Sequence, residues 1–388
     1  MINILFIHQS AEMYGSDKTL LLLLKYIDKT QFTPVVILPF EGPLKFELEK
    51  ENITVIIAPV LKLYRKMFVP KNIINFFADI KISFSIIDKL NKDYNFDIIY
   101  SNTLAVLFGV FYAKKKKIKH LWHVHEIIES PKFFKKIFII LLSIKCNTKI
   151  IYNSTATQKF WNLNSKISNK SKVIWNGLET NSELILNIEI ENIRKTLLQA
   201  NSSDIIVALV GRISRWKGQL VLLNAINDLS KKHKNIKLVF VGAPPPNQEV
   251  FLKNLTNKIK HLNLKKIVKI IPFQEEIFKV WQSIDIAVVP SIEPEPFGLV
   301  AVEAMLAKKP VIASNHGGLS EIIVNNETGF LVEPNNEIAL ADALQKLLVN
   351  PELRKSFGDN GFQRAIKDFT VDTYVSKFEK IFQKMLIK

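Results

Sequence analysis

Short apolar runs alternate with amphipathic stretches along the whole of this chain, and that alternation leaves few folds open. Candidate strands in the first half are Asn3–Ile7, Thr33–Leu38, Thr54–Ala58, Ile98–Tyr100, His120–Val124, Lys149–Tyr152 and Lys172–Trp175. A second series follows at Ile205–Val210, Lys237–Val241, Val268–Ile271, Ile286–Val289 and Pro310–Ala313. The pattern predicts βαβ units around parallel sheets. Between the two series lies 180–203, polar and Asn-rich with one helical segment. The 388 residues suffice for two domains, and 48% hydrophobic residues for two cores. The fold class is therefore α/β, with two doubly wound lobes that take ligands at the carboxyl ends of their strands, in the crevice where the lobes face each other. The expected division is 1–185, 186–370 and a final amphipathic helix over 371–388.

Composition narrows the chemistry. Cys146 is the single cysteine, which excludes an intrachain disulfide and a multi-cysteine zinc site and fits a reducing cytoplasm. Met1-Ile2-Asn3-Ile4-Leu5-Phe6-Ile7-His8 lacks a basic n-region and reads as a buried first strand, not a signal peptide. The longest apolar runs, Leu104–Ala113 and Ile137–Ile144, fall short of the ~18 residues that span a bilayer. A net charge of +17 invites an anionic partner: nucleic acid, an anionic membrane surface or an acidic nucleotide substrate. A general bias toward Lys, Asn and Ile explains the charge equally well. Lys114–Lys117 and Lys132-Phe133-Phe134-Lys135-Lys136-Ile137-Phe138 set bases among or beside aromatics. Such surfaces are either solvated helix faces or docking sites for anionic lipid, at ~1 kcal/mol per base.

The richest stretch is Pro290-Ser291-Ile292-Glu293-Pro294-Glu295-Pro296-Phe297-Gly298-Leu299-Val300-Ala301-Val302-Glu303-Ala304-Met305. Pro294 and Pro296 disfavour helix, and Leu299–Ala307 reads as helix stopped by Lys308-Lys309-Pro310. Gly298 then marks a helix start whose N–H groups lack intrahelical partners, a place that attracts phosphate. Glu295 precedes that start and Glu303 lies more than a turn beyond it. Arg212 follows the strand Ile205–Val210, and Lys217 comes five residues later, before a helix near Gln219. Strand, basic loop and helix start make a diphosphate clamp. His125, in Leu121-Trp122-His123-Val124-His125-Glu126, sits at a strand end suited to a ligand, and His123 is assigned to the opposite face by strand alternation. No D-x-D and no G-x-G-x-x-G occurs, which argues against a bound metal and a dinucleotide cofactor.

Taken together these residues resemble retaining, nucleotide-sugar-dependent glycosyltransferases of family 4 (glycosyl transferases group 1), of the bacterial polysaccharide and lipopolysaccharide type. The resemblance rests on the E-x7-E signature, P-S-x-x-x-E-x-F-G-L-x-x-x-E-A-M. It continues through Lys309-Pro310-Val311-Ile312-Ala313-Ser314, Gly317-Gly318-Leu319-Ser320-Glu321-Ile322-Ile323 and Glu327-Thr328-Gly329-Phe330-Leu331-Val332. It implies the GT-B architecture, with the last helix returning to the first lobe. It also implies roles. Glu295 would bind donor-sugar hydroxyls and Glu303 the ribose. Arg212, Lys217 and the amides near Gly298, Leu299 and Val300 would hold the diphosphate, beside Phe297. His125 would serve the sugar and reaction centre. Gly15, in Gln9-Ser10-Ala11-Glu12-Met13-Tyr14-Gly15-Ser16-Asp17, corresponds to a glycine-rich loop of the family, with Tyr14 where a first glycine usually stands. Gly177 is assigned to a turn, and Glu321 either to the active-site wall or to a helix cap.

The implied activity is transfer of a hexose or N-acetylhexosamine from a nucleoside-diphosphate sugar to a hydroxyl of a lipid-linked surface glycan such as capsule or lipopolysaccharide. No metal or other cofactor is implied, and the expected location is cytoplasmic, peripheral at the inner membrane face. A nucleotide-sugar epimerase of the same fold and a basic polymer-binding protein are the alternatives, although no nucleic-acid motif is present.

Overall fold

The computed structural model describes residues 1–61, 70–180 and 185–387, with backbone alone for 70–78. The chain divides into two compact units, Met1–Leu178 with Thr370–Lys388, and Glu179–Phe369.

The first unit is built on seven strands: β1 (Ile2–His8), β2 (Phe32–Leu38), β3 (Thr54–Ile57), β4 (Ile98–Asn102), β5 (Lys119–Val124), β6 (Asn147–Tyr152) and β7 (Ser171–Val173). They lie in the order β3-β2-β1-β4-β5-β6-β7, every pair parallel. Parallel strands need crossover helices, so both faces of the sheet are covered. Strand β1 shows the result. Leu5 and Ile7 join Val35 and Ile37 in one buried cluster, while Ile4 and Phe6 join Val36 and Leu38 in another. Alternate side chains thus feed opposite cores, and none of these eight needs water.

The second unit has six strands: β8 (Ile205–Val210), β9 (Ile236–Val241), β10 (Val268–Ile271), β11 (Ile286–Val289), β12 (Val311–Ser314) and β13 (Gly329–Val332). Their order is β10-β9-β8-β11-β12-β13, again all parallel. In each sheet the order reverses beside the first strand, between β1 and β4 and between β8 and β11. Those two switch points are where an open α/β sheet leaves a crevice. Strand β13 is an addition to the elements expected from sequence. It is four residues long, and its buried Phe330 and Val332 flank a half-exposed Leu331.

The helix Val371–Leu386 belongs to the first unit. Tyr374, Phe378 and Phe382 recur every four residues, which puts them on one face. Phe382 meets Phe6 at 6.2 Å and Phe378 meets Tyr100 at 6.0 Å between ring centres. The helix is started by Thr370, whose hydroxyl accepts the Thr373 N–H at 3.2 Å. It is anchored by the Val371 N–H donating to the Leu178 carbonyl at 2.9 Å. Gly177 makes this anchoring possible. A Cβ there would stand 2.7 Å from the Tyr374 Cβ and 2.8 Å from the Thr370 carbonyl carbon. Its role is close approach to this helix, which corrects its assignment to a turn. Among the described residues no helix is long and apolar enough to cross a membrane.

Gly177→Ala should therefore destabilise the first unit by about 1–3 kcal/mol, the usual cost of overpacking. Urea unfolding checks it: an unchanged midpoint would show that the helix can move aside freely.

Candidate functional site

In the second unit the residues singled out from sequence gather at the switch point. The loop after β8 (211–218) and the loop after β11 (290–298) are held against each other by backbone before any side chain is counted. The Ile292 N–H donates to the Trp216 carbonyl at 2.8 Å. Gly218 opens the helix Gln219–Lys232 with φ 77°, and a Cβ there would stand 2.8 Å from the Pro290 carbonyl carbon. Left-handed φ and backbone contact together require glycine. An Arg215–Glu293 ion pair closes the outer edge.

This zipper sets Lys217 beside Glu295. The Lys217 Nζ donates to Glu295 Oε1 at 2.5 Å, and the Ser291 hydroxyl donates to the same oxygen at 2.6 Å. The two charged side chains keep only 13% and 7% of their surface. The ammonium also lies 4.3 Å from the centre of the Trp216 ring. The loop after β12 braces the carboxylate's backbone, with the Gly318 N–H donating to the Glu295 carbonyl at 2.7 Å. His316 Nε2 meets the Ser291 carbonyl at 2.8 Å.

The remaining positions divide. Arg212 is exposed on the Lys217 loop, and its carbonyl accepts the buried Gln219 amide at 2.9 Å. Gly298, at φ 118°, opens the helix Leu299–Leu306, with Leu299 and Val300 half-buried in its first turn. Their N–H groups have no carbonyl one turn earlier to meet. Glu303 is half-buried on that helix, and its Oε2 accepts the indole N–H of the fully buried Trp281 at 3.2 Å. Phe297 faces inward, 3% exposed and edge-on to Phe369 at 5.9 Å. Its side chain is core, and any contact it makes with a ligand is through backbone.

In the first unit the corresponding ends are those of β1, β4 and β5. His125 follows β5 and retains 9% of its surface. Its Nε2 meets Asn102 Oδ1 at 2.9 Å and His123 Nδ1 at 3.1 Å. His123 is not on the opposite face: the two rings lie 3.9 Å apart. Residues two apart share a strand face, so alternation itself argues against the separation expected from sequence. Burial holds His125 down to about 3, with His8 nearby as a lesser cause, and it holds His123 down as well. Both imidazoles are neutral near pH 7. Burial raises Glu126 to about 7, although its carboxylate accepts the Leu104 and His125 N–H groups at 3.0 Å each. Gly15 is exposed at the start of the helix Gly15–Tyr26. His8, Asp17 and Asn102, to which sequence assigned no site role, join this buried cluster. Their signal is position, since His8 and Asn102 are the last residues of β1 and β4. Among the described residues, no group of three His, Cys, Asp or Glu side chains is placed to hold a metal ion.

Residues 190–364 match the family described as Glycosyl transferases group 1. That span contains Arg212, Lys217, Glu295 and Glu303, the positions just built. Over 181 residues the chain is 31% identical to D-inositol 3-phosphate glycosyltransferase of Corynebacterium diphtheriae, covering 46% of this chain and 42% of that protein. Over 195 residues it is 29% identical to lipopolysaccharide 1,2-N-acetylglucosaminetransferase of Salmonella typhimurium, covering 49% and 51%. The chain thus spans about half, or less, of the length of these curated relatives. The Anabaena protein Alr3699/HepE, crystallised in complex with UDP and glucose, is 25% identical with a TM-score of 0.84, covering 99% of this chain and 100% of that one. Two Rossmann-like parallel units give the chain the GT-B fold.

Within the matched segment, Lys217→Ala would leave the Glu295 carboxylate buried with Ser291 as its one remaining side-chain donor of the two described above. The cost should be about 3–5 kcal/mol in urea unfolding. Adding Glu295→Gln removes the orphaned charge and should restore most of that loss. Equal midpoints for the wild type and Lys217→Ala would show that the pair is not dry.

Proposed function

We propose that this chain is a retaining glycosyltransferase that moves a hexose or N-acetylhexosamine from a nucleoside-diphosphate sugar to a sugar hydroxyl of a lipid-linked surface glycan, without a metal ion. The observation that carries the reading is the dry Lys217–Glu295 pair at the switch point of the second unit. A lysine for phosphate and a carboxylate for hydroxyls, side by side, suit a ligand that bears both groups. The Anabaena relative, solved with UDP and glucose, and the Salmonella N-acetylglucosaminetransferase support this donor class.

In this reading Lys217, Arg212 and the N–H groups of Leu299 and Val300 stabilise the diphosphate as it departs with the electron pair of the C1–O bond. Glu295 accepts hydrogen bonds from sugar hydroxyls, and Glu303, steadied by Trp281, takes the ribose. His125 serves the sugar as a neutral imidazole. The acceptor oxygen then bonds to C1 on the face the diphosphate left, and its proton goes to the departing phosphate oxygen. Retention is carried by family resemblance. A nucleotide-sugar epimerase is not favoured, since the named relatives are transferases.

The membrane part of the proposal rests on the helix Lys132–Ser143. Phe133 and Ile140, seven residues apart and so on one face, are 60% and 68% exposed, with Lys132 and Lys136 exposed beside them. Part of the patch expected from sequence drops out, with Phe134 and Ile137 packed against the core. Phe138 is buried against Trp161, and Lys135 lies 3.7 Å over the Phe160 ring. Peripheral docking at the inner face of a cytoplasmic membrane would use Phe133, Ile140 and these two lysines.

Two experiments test the proposal. Calorimetry with a panel of nucleotide sugars identifies the donor, and Glu303→Ala should then weaken nucleoside diphosphate binding by about 1.5–3 kcal/mol. Glu303→Gln keeps an acceptor for Trp281 and so separates the ligand contact from support of the indole. Unchanged affinity in both folded variants sinks the ribose assignment, and transfer to water alone with every glycan acceptor sinks the transferase. For the membrane, Lys132→Glu with Lys136→Glu should abolish salt-sensitive binding to anionic vesicles and leave nucleotide affinity intact. Equal retention of both proteins on vesicles removes the lipid surface from the reading.

A further inference from the structure

The buried cluster of the first unit has a direction, because hydrogen-bond chemistry allows its protons only one arrangement. The Asp17 carboxylate can only accept. Its Oδ1 meets His8 Nε2 at 2.7 Å, so His8 carries its proton on Nε2 and keeps a lone pair on Nδ1. That lone pair takes the Asn102 amide nitrogen at 3.0 Å. The same Nδ2 reaches the Ser16 carbonyl at 3.3 Å, which again can only accept. Two independent acceptors therefore fix which way the Asn102 amide points. Its Oδ1 is left facing His125 Nε2 at 2.9 Å, so that nitrogen must carry the proton. His125 is then the Nε2–H tautomer. Its Nδ1 keeps the lone pair, and the side-chain hydrogen bonds of His125 described above all run through Nε2.

His123 Nδ1 has one lone pair, which takes the Tyr100 hydroxyl at 2.6 Å, and the His125 Nε2–H, given to Asn102, reaches it only as a weaker second branch at 3.1 Å. That assignment puts a proton on His123 Nε2, which is buried without a partner among the described residues. Asp17, His8 and Asn102 are 1%, 0% and 1% exposed, so water cannot rewrite the pattern.

We propose that Asp17, His8 and Asn102 are positioning residues that set the tautomer of His125, so that it presents Nδ1 as a hydrogen-bond acceptor to a hydroxyl of the ligand. Asp17 sits at the head of this relay and also accepts the Tyr14 N–H at 2.9 Å through Oδ2. One carboxylate thus fixes both the loop before Gly15 and the proton on His125. A buried aspartate that dictates a histidine's tautomer is a known device for orienting catalytic imidazoles. The use of Nδ1 on a sugar hydroxyl rests on the transferase reading, whereas the tautomer does not.

Nitrogen-15 NMR of the histidines in the full chain, about 1.5 pH units above the usual imidazole value of 6.5, reads the tautomer without any substrate. Wild-type His125 should show a protonated Nε2 and a bare Nδ1; the reverse overturns the relay, and no variant is needed to see it. In Asp17→Asn the Tyr14 N–H still requires the side-chain oxygen, so the new amide nitrogen faces His8. His8 must then accept at Nε2 and donate from Nδ1, and that shorter contact should outweigh the Ser16 carbonyl at 3.3 Å, so that Asn102 turns over and the His125 proton moves to Nδ1. His8→Gln offers the same donor and acceptor as the native ring and should leave His125 unchanged. An unmoved His125 in folded Asp17→Asn, or a moved one in His8→Gln, rejects the proposal. His120, held by Ser101 and Asn147 outside the relay, reports that each variant is folded. Once a donor is known, Asp17→Asn should lower kcat at least about tenfold with KM within about twofold. A relay confirmed by NMR with no glycosyl transfer would leave the tautomer standing and remove the function.

Discussion

A parallel strand buried on both faces has no room for a polar side chain except at its ends. Every other feature of this chain follows from that constraint. Strands β1 and β8 give nearly all their side chains to apolar cores, so the chemistry collects where strands stop. His8 ends β1, Asn102 ends β4 and His125 follows β5. Arg212 and Lys217 follow β8, and Glu295 follows β11. The carboxyl edge carries these groups because the open sheet reverses its strand order there and leaves a gap.

Much of this was legible in sequence. The strand series, the helix after Gly298 and the final amphipathic helix come from period and punctuation, which are local properties. Glu295 and Lys217 were each singled out, but their ion pair was not. They are 78 residues apart and meet only because β8 and β11 are neighbours across a crossover. Asp17 lies in the first turn of its helix, where the Tyr14 N–H donates to it. Its second bond, to His8, depends on where β1 ends relative to that helix. Phe297 looked like a ligand contact because it sits inside a ligand-binding motif. The tertiary partner that claims it, Phe369, lies far along the chain. Strand β13 escaped because four residues beside a turn give too short a pattern to separate from loop.

The two units keep polar groups dry by different means. The first does it with neutral groups in a one-way chain of donors, anchored on one carboxylate. The second does it with a compact ion pair and a hydroxyl. A hydrogen-bond chain transmits information about proton position over several residues. An ion pair transmits none, but it concentrates field at one place. The first arrangement suits orienting a single imidazole, and the second suits a large change in local charge.

If the proposed ligand binds here, the Lys217–Glu295 pair would also act as a filter. Lys217 has already lost most of its water, so an arriving anion need not strip it again. Yet any anion that draws the ammonium away leaves Glu295 buried, with its charge less well matched. A free phosphate or sulfate brings nothing to replace what it removes. A ligand that carries hydroxyl donors beside its phosphate can take the lysine and satisfy the glutamate in one move. On the proposed reading the resting pair would work as a built-in competitor, displaced at little cost only by molecules that hold both kinds of group at the right separation.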